Sequence, residues 1–209
     1  MEQDEKSCRR MDRRVRRSRR AMMDAFDRLI VLTPLDQITV SAIAREADVD
    51  RKTFYQHFGT VDGLLDAIAE EVVSGLLDEV ELATRERVEM GEDIRPLKAF
   101  FEALSEHLSK NESLQQRYCE HVPAELLFDH LARPLTRQIV ERGFVRGELS
   151  AEHLEMLLAF GLGGLFSLYR WWLISDRSVP LAEVTRCAST LVEGGIAAYT
   201  GQRTALSHE

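Results

Sequence analysis

Apolar residues recur every third or fourth position along most of this 209-residue chain and nowhere alternate strictly with polar ones, so the pattern predicts an all-α protein. The first helix spans about 12–32, with Met22, Phe26, Leu29 and Ile30 as its apolar stripe and Pro34 forbidding continuation. Two short helices over 40–47 and 51–57 follow, then a long one over 61–87 carrying Leu64, Leu65, Ile68, Val72, Leu76 and Val80. At the rise of an α-helix that last element reaches roughly 40 Å, enough to join two domains. The second half reads as helices over 95–108, 113–121, 123–142 with Pro134 inside, 151–174, and from Pro180 to about Tyr199, with a loop at 143–149. The expected architecture is an N-terminal helix-turn-helix three-helix domain in 1–65 and a larger helical domain in 66–209, about nine helices in all.

The segment from Thr39 to Leu65 carries the sharpest local chemistry. Thr39 is placed to cap a helix whose Ile43, Ala44 and Ala47 face inward, Asp48 and Val49 make a turn, and Asp50 is placed to cap the next helix. Arg51, Lys52 and Thr53 then stand at a helix N-terminus, where donors meet phosphates and base edges. Phe54 should point into the core while Thr53 and Tyr55 point out. Gly59 and Thr60 end this helix and cap the long one.

The run Ile43-Ala44-Arg45-Glu46-Ala47, then Thr53-Phe54-Tyr55-Gln56-His57-Phe58 and Leu64-Leu65, resembles the signature of the tetracycline-repressor (TetR) family, and within it the branch whose motif reads RKTFY. The resemblance covers about Arg13 to Leu65; beyond it only the all-helical plan carries over. It implies a homodimeric regulator of transcription, with two recognition helices entering successive major grooves of a pseudo-palindromic double-stranded operator, and a small-molecule effector that acts through the fourth helix. By match to the motif, Ser41, Arg51, Lys52, Thr53 and Tyr55 become candidates for base or near-base contact, and Thr39 and His57 for phosphates; His57 has the alternative of packing on the first helix. A ligand-responsive repressor is the leading expectation. An activator or ligand-independent binder of the same fold stays open, as does a protein-interaction or enzyme module on a degenerate DNA head. Two positions depart from the family: Asp48 stands where glycine is usual, and Val61 where many relatives have a phosphate-binding lysine.

Charge sharpens this reading. The whole chain carries −8, but residues 1–57 hold 13 Lys and Arg against 10 Asp and Glu, a net +3, which leaves 58–209 with 14 against 25, a net −11. The excess is densest in an arm with Arg13, Arg14, Arg16 and Arg17. Such a run is either a solvated tail or a DNA-binding arm that releases counterions and enters the minor groove.

The last two long helices are rich in small residues. Glycine inside a helix costs about 1 kcal/mol against alanine, so close helix approach is the expected return. That approach occurs either inside one subunit or in a four-helix dimer interface, as the resemblance implies, built from Gly161, Gly164, Leu165, Leu168, Trp172, Ala188, Leu191, Val192 and Gly195. Candidates for an effector pocket are Phe101, Leu104, Tyr118, Phe128, Leu131, Leu135, Phe160 and Tyr169, each of which could equally be ordinary core.

Other chemistries are weakly represented. His121, Glu125 and Asp129 have helical spacing with Cys119 nearby, yet Pro123 interrupts them, so no metal site, catalytic residue or cofactor is expected. Three isolated cysteines fit a reducing cytoplasm. The charged N-terminus does not read as a signal peptide. The apolar run at 154–168 is shorter than the roughly 20 residues a membrane span needs, so no membrane partner is expected.

Overall fold

The fold is that of a computed structural model, which describes residues 2–90, 96–144 and 150–206, with side chains from residue 14 to residue 199 apart from Ala151. Among these residues there are helices and no strands: α1 (Glu2–Ile30), a 3-10 turn (Leu35–Gln37), α2 (Val40–Glu46), α3 (Arg51–Phe58), α4 (Val61–Glu89), α5 (Pro96–Lys110), α6 (Glu112–His121), α7 (Ala124–Glu141), α8 (Ala151–Ile174) and α9 (Leu181–Leu206). The all-helical plan with a small N-terminal and a larger C-terminal region is as the periodicity indicated. The ends differ: α1 begins ten residues before the expected start near 12, and α9 runs past Tyr199 into the polar tail. Neither extension has an apolar pattern, which is why periodicity did not find them.

Caps fix several starts. The Thr39 hydroxyl accepts from the Ala42 N–H at 3.2 Å, Thr60 from Gly63 at 2.9 Å, and Ser150 from His153 at 3.4 Å. Each satisfies one of the donors that a helix N-terminus leaves unpaired. Asp50 has the extended conformation of a cap, but its side chain makes no capping bond. Its carbonyl alone starts α3, accepting from Phe54 N at 3.2 Å.

The core of the N-terminal region is small and closed. Phe26, Ile30, Ile43, Phe54 and Leu64 are all fully buried, each contributing about 1.5–3 kcal/mol by leaving water. Two ion contacts lock its outside: Arg28 of α1 reaches Glu46 of α2 at 2.6 Å, and Arg19 lies over the Phe58 ring at 5.1 Å.

From there α4 runs into the larger region, packing along α5 and α7, while α8 lies against α6 and α9, and α9 against α5. The buried face of α4 is Leu64, Leu65, Ala69, Val73, Leu76, Leu77 and Val80. It is turned slightly from the expected stripe: Ile68 and Val72 are only half-buried, while Ala69, Val73 and Leu77 are buried. Pro134 is buried within α7.

The α8 and α9 faces behave differently. Met156, Phe160, Trp171, Ile174, Leu191 and Ile196 are exposed. A Cβ added at Gly161, Gly163, Gly164, Gly194 or Gly195 would meet nothing within 4 Å. Their smallness is therefore unused inside the subunit. By contrast Trp172 and Ala188, expected at the dimer interface, are buried in the chain's own core, where Trp172 donates its indole N–H to the Val179 carbonyl at 2.8 Å. They are corrected to intrachain packing. Helix 152–174 is long and apolar enough to cross a membrane by length and composition, with 22% of that stretch buried.

Candidate nucleic-acid interface and interior cavity

The turn between α2 and α3 rests on Asp48, whose φ of 53° is the left-handed conformation that glycine adopts most readily. Its N–H bonds the Arg45 carbonyl at 3.2 Å and the next N–H, from Val49, reaches Ala44 at 2.9 Å. This brings α2 and α3 close enough for Arg51 to donate to the Ser41 hydroxyl at 3.4 Å. Ser41, Arg51, Lys52 and Tyr55 are exposed on one surface, Thr53 is half-buried, and Phe54 points inward with Tyr55 against it edge to face at 6.0 Å. Phe54 thus points inward and Tyr55 outward as expected, while Thr53 is only partly exposed.

The phosphate candidates sit differently. Thr39 spends its hydroxyl oxygen as the α2 cap, leaving its O–H to donate. His57 is half-buried beside Phe58, and burial first, then the neighbouring Arg19 charge, hold its ring below the ordinary imidazole range. That favours the neutral ring, so His57 brings no charge to a phosphate. Arg14 and Arg17 are exposed on α1, and Arg16 also faces solvent; the Arg13 side chain lies outside the described residues. Arg19 and Arg20, further along, turn back to Glu71 of α4. Val61 is half-buried against the core.

One requirement escaped the sequence reading. A Cβ on Gly63 would stand 2.2 Å from the Phe58 carbonyl oxygen, so only glycine lets α3 close onto α4 at this angle.

Residues 23–68 match the family model described as bacterial regulatory proteins, tetR family. The matched stretch takes in α2, α3 and the start of α4, about a fifth of the chain. A curated relative, an uncharacterized helix-turn-helix transcriptional regulator YxbF of Bacillus subtilis (strain 168), is 33% identical over 75 residues, 35% of this chain and 20% of that protein. The chain thus spans about a fifth of that relative's length. Over nearly the whole chain the fold is similar to a TetR transcriptional regulator from Streptococcus agalactiae 2603V (TM-score 0.60, 18% identity, 88% of this chain and 98% of that one). It is also similar to the TetR-family repressor FadR of Thermus thermophilus, solved with lauroyl-CoA (0.53, 22%, 85% and 92%), and to the dihydroxyacetone kinase operon activator DhaS (0.55, 17%, 87% and 97%). At these identities the solved TetR structures establish the fold of the larger region.

Behind this TetR-type head, between α1, α4, α5, α6, α7 and α8, lies a cavity of about 500 Å³, within the range of ligand sites. Leu104, Tyr118, Phe128, Leu131, Leu135 and Tyr169 of the expected pocket residues line it. Phe101 does not: it is 2% exposed in the packed core, and its neighbour Phe100 faces the cavity. Phe160 is 84% exposed on the outer side of α8. Both were one helical step from the inner face. Tyr118 donates to the Asp27 carboxylate at 2.6 Å, while Asp27 is pushed above the usual carboxylate range by burial.

The seam between α4 and α7 is polar. On α7, His130 is 5% exposed, with Nδ1 2.6 Å from Asp66 and Nε2 3.1 Å from Asp62, both on the first turns of α4. Each ring nitrogen thus has a carboxyl oxygen beside it. Further along, Gln138 and Arg137 hold Glu70, and Arg142 holds Asp78. The sequence did carry a signal for this seam, since Asp62, Asp66, Glu70, Ser74 and Asp78 recur every four residues on one face of α4. His121, weighed as a metal ligand, instead places Nδ1 2.6 Å from the Ile30 carbonyl. With α6 ending there and α7 starting at Ala124, His121 shares no helical face with Glu125 and Asp129.

Proposed function

We propose that the chain is a ligand-responsive transcriptional repressor of the RKTFY branch of the TetR family, acting in the cytoplasm as a homodimer on a pseudo-palindromic operator. The observation that carries this is the outward patch of Ser41, Arg51, Lys52 and Tyr55 held around the buried Phe54. Ser41, Arg51, Lys52, Thr53 and Tyr55 read bases; Thr39 donates to a phosphate; Arg14, Arg16 and Arg17 follow the backbone. The exposed glycine-rich faces of α8 and α9 meet their copies, with Gly161, Gly164, Leu191 and Gly195 at the seam and Leu165, Leu168 and Val192 beneath it. Covering that face in a dimer also accounts for the apolar surface of α8 without a bilayer. An effector occupies the cavity lined by Leu104, Tyr118, Phe128, Leu131, Leu135 and Tyr169. It acts on the DNA head through the His130 contacts to Asp62 and Asp66, since it shifts the equilibrium only by binding one arrangement of α4 better than the other.

Selection of bound duplexes from random DNA, followed by competition against scrambled sequence, tests this. Tyr55→Ala should lose about 1–3 kcal/mol on the selected site and little on random DNA, whereas Arg14→Ala should weaken both alike and reduce the salt slope. Equal losses on both for Tyr55→Ala would remove its base-reading role. An activator of the same fold remains the second reading, favoured by the likeness to DhaS; a reporter gene carrying the selected site gives the sign.

A further inference from the structure

Arg170 of α8 lines the cavity beside Tyr169 and Leu173, and its Nε is fully buried without a hydrogen-bond partner. No ion pair joins it among the described residues. The residue as a whole is half-buried, so the cost falls on the Nε–H, a donor that a buried site normally satisfies with an acceptor. Its charged neighbour in electrostatic terms is Cys119, whose thiol burial pushes up to about 11 despite Arg170, so no thiolate balances it. Most of the other charged lining groups and both histidines are spoken for. Arg20 pairs with Asp24 and Glu71, Asp27 takes the Tyr118 hydroxyl, His107 meets Gln115 at 3.2 Å, and His130 holds Asp62 and Asp66. Glu79 is the remaining lining acid, near His107. Along α8 and much of α7 the walls are aliphatic and aromatic, including Leu131, Leu162, Phe128 and Phe166.

Resting on the reading of this cavity as the effector site, we propose that the effector is an apolar monocarboxylic acid, its carboxylate paired with Arg170 and its hydrocarbon body along α7 and α8. One unpaired cation matches one negative charge. A phosphomonoester dianion would bring a surplus charge into an apolar cavity that already holds Glu79. A coenzyme A thioester would leave Arg170 facing a neutral carbonyl and bring several phosphates to a lining whose other cations are engaged. Arg also offers two parallel N–H groups to a carboxylate, which fixes the direction of the body.

Calorimetry and thermal shift on the full chain test this with laurate and cinnamate, their neutral counterparts dodecanol and cinnamyl alcohol, and lauroyl-CoA. At least one acid should bind tenfold or more tightly than its alcohol and release the selected operator, and Arg170→Gln should erase that preference while leaving alcohol binding within about twofold. Arg170→Met should leave the melting temperature of the free protein unchanged or slightly higher, as expected for removing an unsatisfied buried donor, and lose acid-induced stabilisation. Acids and alcohols binding alike, binding of the alcohols alone, or lauroyl-CoA binding that survives Arg170→Gln would overturn the carboxylate assignment and leave the ligand-responsive reading standing. Operator binding with no response to any of these or to a wider panel of small apolar molecules would overturn both.

Discussion

The DNA head and the larger region solve opposite problems with the same element. In the head the core is closed: Phe26, Phe54 and Leu64 have no exposure, and the contacts of Arg28 and Arg19 cover its outside. In the larger region the helices leave a cavity of about 500 Å³, an unpartnered Arg170 Nε, and an outer face with Phe160 and Leu191 in solvent. A reader must hold its donors still, whereas a sensor must leave something unsatisfied for a ligand or a second subunit to complete. The difference teaches where stability and where function should respond to mutation.

The contrast is broken most severely by emptying the head. Phe54→Ala should cost about 3–5 kcal/mol, read in denaturant titration, whereas Leu131→Ala at the cavity wall should cost less than half as much because it enlarges a space already there. A similar loss at both positions would mean that the cavity closes in solution.

Glycines sharpen it next. Gly63→Ala drives a methyl group toward the Phe58 carbonyl and should cost about 1–3 kcal/mol or more, with loss of operator binding. Gly164→Ala meets nothing within the subunit, so a monomer should gain about 0.5–1 kcal/mol from the better helix former. A bulkier Gly164→Leu should shift the monomer–dimer equilibrium in sedimentation, and an unchanged dimer would move the interface elsewhere.

These two glycines also mark what the sequence made legible. Helical periodicity, the Phe54 orientation and the left-handed Asp48 turn followed from local rules, because residues three to eight apart decide them. Gly63 depends on the angle between α3 and α4, and Trp172, Ala188, Phe101 and Phe160 on which side of a helix meets which neighbour. Those are tertiary facts, invisible to a pattern that is apolar on nearly every side. The His130 contacts were missed for the same reason, although the four-residue acidic stripe of α4 announced that something polar had to face it.

Smaller effects test the joint between the regions. His130→Ala should leave operator affinity of the free protein within about threefold yet reduce the effector's influence on it, a coupling typically worth 1–3 kcal/mol; gel-shift titrations with and without effector check this. Asp27 has a folded-state pKa raised by burial, so its share of stability is full below the unfolded carboxyl range and is lost as pH rises through the folded value. Asp27→Asn, which keeps an oxygen for Tyr118, should raise the melting temperature near neutrality and change little near pH 3. A uniform gain at both pH values would rule out ionisation as the cause.

The central claim is that the patch around Phe54 reads sequence in two symmetric copies. Analytical ultracentrifugation of the full chain on a selected pseudo-palindromic duplex, beside a duplex with one half-site scrambled, tests it most directly. The account predicts two chains per intact duplex and at least a tenfold loss of affinity when one half-site is scrambled. A single chain per duplex, or equal binding to both, would contradict it.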